Sequence, residues 1–159
     1  MILDKINNNR PAICDIGPLD LIGLSDQFDF NDRISVRNLW VKWIGKTVQI
    51  YGSTPLEKFG IVQYDAVNTF TYFAGCVASD AHFDHPDFHH LHIPTQTCLQ
   101  FGHYGTPIGL RDTMEDIWAN KIPEQSVTPI AELTVHKFIG VADLNADSIV
   151  AEIYIPIEA

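Results

Sequence analysis

Cysteine, basic charge and long apolar runs are all scarce in this 159-residue sequence, and each scarcity excludes something. Cys14, Cys76 and Cys98 are odd in number, far apart and without a C-x-x-C, so neither a zinc knuckle nor a redox motif is supported. Reduced, mostly buried thiols in a cytoplasmic protein are the expectation. Ten Lys and Arg against twenty Asp and Glu give a formal net charge of −10. With no basic run to displace counterions, phosphate-directed nucleic-acid binding is excluded. No apolar stretch approaches a membrane span, and the first five residues lack the basic start and apolar core of a signal peptide. G-x-S-x-G and H-E-x-x-H are absent, so no catalytic residue, metal site or cofactor is assigned.

Aromatic residues are plentiful: nine Phe, five Tyr and three Trp. In one ordinary domain spanning 1–159 they are core filling first and the lining of a ligand cavity second. The acidic balance suits cationic small molecules or a basic protein partner, and equally plain solubility.

Residues 13–24 read as a strand interrupted at Gly17 and Pro18, followed by an acidic loop over 26–32, where Asn31 or Asp32 can cap a helix. Val36, Leu39, Trp40 and Trp43 recur at helical spacing over 34–44, and Gly45 is the expected end. A short strand is expected at 48–51, then strands at 59–64 and 70–78 and a polar loop over 80–90. Alternation predicts a strand over 93–101, a turn bounded by Gly102 and Gly105, and a helix opened by Thr106 and Pro107. Its stripe is Leu110, Met114, Ile117 and Trp118, and Pro123 ends it. Strands at 130–138 and 149–157 close the chain around a loop at 140–148. The order is thus β-α-β-β twice over. This is an α+β domain of two pseudo-twofold units, with a cleft expected between the halves.

The segments PLDLIGL, VRNLWVKW, TYFAGCVAS, HIPTQTCLQFGHYG, RDTMEDIWANKIPEQS, AELTVHKF and EIYIPI follow one another across nearly the whole chain. In that succession the sequence resembles the gyrase-inhibitor-like superfamily, the effector-binding domain at the end of AraC-type and MerR-type bacterial regulators. The resemblance implies duplicated β-α-β-β units in a curved antiparallel sheet with two helices. It also implies an aromatic cleft for bulky, hydrophobic, often cationic compounds, with an acid from the penultimate strand facing the ligand. Glu132 matches that acid, and Trp40, Trp43, Tyr72, Phe101, Trp118 and Tyr154 are the candidate aromatic walls. Cys98 stands where the family commonly has Tyr, and no DNA-binding helix-turn-helix is expected, as in a standalone sensor.

Glu132 amid Ala131, Leu133 and Val135 is either a ligand-facing charge or an outward Glu on an alternating strand. Glu152 is a weaker version, or the partner of a neighbouring Lys or Arg. His82, His85, His89, His90 and His92, interleaved with Asp80, Asp84 and Asp87, reproduce no metal-site spacing and read as a solvated or pH-sensitive loop. His103 reads as structural, within reach of a ligand. The expected function is cytoplasmic binding of hydrophobic cations by a chain that can pair as a homodimer. The alternatives are a protein-interaction module for a basic partner, or a small-molecule hydrolase using a cleft Glu.

Overall fold

The computed structural model describes residues 7–30, 34–55, 57–66, 68–81, 86–130, 132–139 and 149–158. Strands β1 (Ala12–Ile16) and β2 (Leu19–Asp29) lead into helix α1 (Ile34–Tyr51). Strands β3 (Lys58–Ala66) and β4 (Thr69–Val77) and a single turn α2 (Ala78–Ala81) follow. The second unit runs through β5 (His89–Ile93), β6 (Gln96–Gly105), helix α3 (Gly109–Asp116), β7 (Leu133–Ile139) and β8 (Ile149–Pro156).

The eight strands form one antiparallel sheet in the order β1-β6-β8-β7-β3-β4-β2-β5. That order is a palindrome of units. The β3–β7 pair marks the pseudo-twofold, with β4 and β2 answered by β8 and β6. The edge strands are exchanged: β1 pairs with β6, setting Cys14 opposite Cys98, and β5 pairs with β2, setting Leu91 opposite Leu21.

Strand alternation sorts the side chains by face. On one face α1 covers Ile22, Leu24, Tyr72, Ala74 and Phe138, while Ile117 and Ile122 of the second helical segment cover Leu99, Phe101, Ile153 and Ile155. The opposite face gathers residues of all eight strands into one buried cluster, from Cys14 and Leu21 through Phe59, Phe73 and Val135 to Ile93, Cys98 and Tyr154. Eight strands laid flat would span about 34 Å. A single cluster therefore requires the unclosed sheet to curl, with the helix-free face on the inside. Gly23 and Gly75 face each other at this bend, and a Cβ on Gly75 would overlap the Ile22 carbonyl oxygen.

Several boundaries depart from the sequence reading. The first strand divides at Gly17, which takes a positive φ of 94°, and β2 continues to Asp29 because buried Phe28 holds the acidic stretch in the sheet. Helix α1 runs past Gly45 and absorbs the short strand expected at 48–51, since Thr47 is fully buried and its hydroxyl donates to the Ile44 carbonyl at 2.9 Å. The end of the expected histidine loop, from His89, belongs to edge strand β5, where exposed His90 and His92 alternate with Leu91 and Ile93. Strand β6 runs through the turn expected at 102–105. Thr106 keeps a capping part, its Oγ1 accepting the Gly109 N–H at 2.9 Å. After α3 the stripe continues through a π turn (Ile117–Lys121) and a 3-10 turn (Ile122–Glu124) holding Pro123. Asn31, Asp32, His82, Asp84, His85 and the loop 140–148 lie outside the described residues, and no described helix is long and apolar enough to cross a membrane.

Candidate functional site

On the inner face of the curl, β8 presents Val150, Glu152 and Tyr154, while Ala151, Ile153 and Ile155 pack beneath the helices. Glu152 is 8% exposed, a carboxylate within a largely apolar surface. Its Oε2 accepts the Tyr154 hydroxyl at 2.8 Å and the Gln100 amide N–H. The same amide donates to Tyr154 Oη at 3.1 Å, closing a three-membered network between β6 and β8. Burial, followed by the hydrogen bond and charge of Glu152, pushes the Tyr154 phenol far above its ordinary value, so it stays a donor.

The nearest cation by register is Lys137, directly across from Glu152 on β7, but its Nζ lies 3.7 Å from Glu57 Oε1 at the rim. Among the described residues Glu152 thus keeps hydrogen-bond donors without an ion-pair partner at its side. Burying such a charge is costly, and a cation reaching it would recover much of that cost. Phe59, Ile61, Phe73 and Val135 supply the apolar neighbours, with rings on β3 and β4 opposite the polar network on β6 and β8. Asn8 braces the strand beside it: its side-chain amide donates to the Gly102 carbonyl and its oxygen accepts the Gly102 N–H, both at 2.9 Å. Gly102 pairs with Glu152 across the sheet.

The residues read from the sequence separate onto two faces. Tyr154 is in the inner network. Trp40, Trp43 and Tyr72 meet on the other face under α1, with Trp40 Nε1 donating to Tyr72 Oη at 3.0 Å and the Trp40 ring 5.4 Å from Phe138. Phe101 packs beneath the second helical segment, and Trp118, carried on that segment, packs against the same cluster. Glu132 stands just outside the strand expected to carry it: β7 begins one residue later, so Glu132 lies in an exposed turn, its carbonyl accepting the Tyr64 N–H at 3.2 Å. Gln100 is the addition, and Glu152, read from the sequence as a weaker version of Glu132, is the acid that joins Tyr154 in the network.

His103 is buried and structural, its ring nitrogens bonded to Thr113 Oγ1 at 2.7 Å and the Thr106 carbonyl at 3.0 Å. Among the described residues no group of three His, Cys, Asp or Glu side chains is arranged to hold a metal ion.

Solved structures share this fold at low identity. A putative bacterial transcription regulation protein from Staphylococcus aureus MU50 superposes with a TM-score of 0.69 at 11% identity, over 94% of this chain and 99% of that one. SAV2435 bound to tetraphenylphosphonium gives 0.69 at 13% identity, over 94% of each chain. The C-terminal domain of EcmrR gives 0.64 at 19%, over 94% of this chain and 97% of that one. EcmrR also appears in a DNA complex, where the match spans 57% of the longer chain. No curated protein sequence matches. The GyrI-like small molecule binding domain model matches residues 10–158, nearly the whole chain. With that match and the curled eight-stranded sheet together, the chain belongs to the GyrI-like small-molecule-binding domain family.

Proposed function

We propose that this domain binds a bulky, hydrophobic cation on the inner face of the sheet, with Glu152 as its counter-charge. The observation that carries the reading is a buried carboxylate held by Tyr154 and Gln100 with no ion-pair partner among the described residues. Tyr154, Phe59 and Phe73 would add cation–π attraction of about 0.5–2 kcal/mol each. The tetraphenylphosphonium bound to SAV2435, a neighbour in fold, is a ligand of this chemistry. The domain would sense or sequester such compounds in the cytoplasm, alone or under the direction of a regulator it contacts.

The test is thermal unfolding with tetraphenylphosphonium and with neutral tetraphenylmethane-type analogues of matched shape. Ligand at about a hundred times its dissociation constant stabilises the native state by roughly 2.7 kcal/mol. Stabilisation by the cation and not by the neutral analogue is expected, and equal stabilisation by both would remove Glu152 from the recognition.

A hydrolytic reading draws on the same Tyr154–Glu152 hydrogen bond, which places a proton donor beside a carboxylate able to take a proton from water. Turnover abolished in Glu152→Gln, with binding retained, would favour it.

A further inference from the structure

We propose that Cys14 and Cys98 are a modification site, joined on oxidation by a peroxide into a cross-strand disulfide that staples β1 to β6. The two residues are direct partners in the antiparallel register, on the inner face of the curl. Directly opposed residues in such a pair have Cα atoms roughly 4.5–5.5 Å apart. That separation falls inside the window of about 4.4–6.8 Å that a disulfide spans without moving the backbone. Cys76, the third thiol, is buried on the opposite face under α1, where its register partner on β2 is Ile22. At rest both members are thiols. Cys14 Sγ faces Gln100 Oε1 at 4.0 Å and Cys98 Sγ faces the Gln96 carbonyl at 3.7 Å. Burial, with Cys14 and Asp15 adding, pushes the Cys98 thiol up to about 12, and burial, then Asp15 and Glu152, raises Cys14.

The chemistry is ordered by exposure, since Cys14 is half-buried and Cys98 is closed to solvent. Cys14 gives its proton to solvent, the thiolate attacks one peroxide oxygen, the O–O bond breaks, and the departing hydroxide takes up a proton and leaves as water while the sulfenic acid forms. Cys98 Sγ then displaces the sulfenic hydroxyl, which departs as a second water with the thiol proton. Two thiols lose two electrons and one peroxide becomes two waters. Edge strand β1 pairs with β6 alone, so the bond fixes a strand otherwise held from one side, next to Gln100 of the Glu152 network.

The experiment treats the native protein with hydrogen peroxide and maps its peptides by mass spectrometry without reduction. A Cys14–Cys98 crosslinked peptide is expected, about 2 Da lighter than its two thiol parents and released by dithiothreitol. The thermal midpoint should rise by roughly 5–15 °C on oxidation and return on reduction. In Cys98→Ser, dimedone should trap a sulfenic acid on Cys14. Sulfinic acid on Cys14 beside an unmodified Cys98 in the wild-type protein would overturn the proposal, as would a crosslink through Cys76 or the survival of all three thiols. None of these readouts depends on a bound cation.

Discussion

His136 should make this domain acid-labile. The ring is buried on β7 between Gly60 and Ile153, and among the described residues neither nitrogen has a hydrogen-bond partner. Burial, reinforced by the neighbouring His103, lowers its pKa from 6.5 to about 4. Thr134, two residues earlier on the same face, is likewise buried with its hydroxyl unsatisfied among the described residues. The unfolded chain takes up a proton as the pH falls below about 6.5, whereas the folded chain does not until about 4. Stability from this residue is therefore full above pH 6.5, falls between these values and levels off below. The loss comes to about 2 kcal/mol at pH 5 and about 3 kcal/mol at pH 4. In a domain of this size that lowers the thermal midpoint by roughly 6–12 °C. Urea unfolding of the wild-type protein and of His136→Leu from pH 7.5 to 4 separates this group from the carboxylates, which titrate in both. The wild type should lose more stability than the variant by about the amounts given. Parallel curves would refute a buried neutral imidazole.

Gly45 sits inside α1 with open space where a Cβ would be, so Gly45→Ala should raise stability by about 1 kcal/mol in denaturant titrations. Gly75→Ala should do the reverse and abolish soluble expression or cooperative melting, because its Cβ would enter the Ile22 carbonyl. Tyr72→Phe removes the acceptor of the Trp40 indole and should cost about 1–3 kcal/mol of unfolding free energy, without altering cation binding on the other face.

The duplicated unit was legible because apolar alternation and helical spacing repeat in order along the chain. The boundaries that moved did so for tertiary reasons. Strand β5 is polar on its exposed side and reads as a loop until Leu91 and Ile93 are seen to pack against β2. A glycine that looks like a stop, Gly45, is carried through by Trp43 and Thr47 buried on either side of it. The site was harder to read, because both faces of this sheet are apolar. Tyr72 and Phe101 are as aromatic as any cleft wall, and only the curl shows that helices cover them, α1 with Trp40 among them. Glu132 sits in an apolar neighbourhood of sequence that the strand does not include, whereas Glu152 is flanked by isoleucine and buried in the sheet. Sequence reading had no means of knowing which parity points inward.

The most direct test is calorimetric titration of tetraphenylphosphonium into the wild-type protein, Glu152→Gln and Glu132→Gln. Removing the buried counter-charge should weaken binding at least tenfold, about 1.4 kcal/mol, while Glu132→Gln binds as the wild type does. Unchanged affinity in Glu152→Gln, or a loss confined to Glu132→Gln, would contradict the inner-face site.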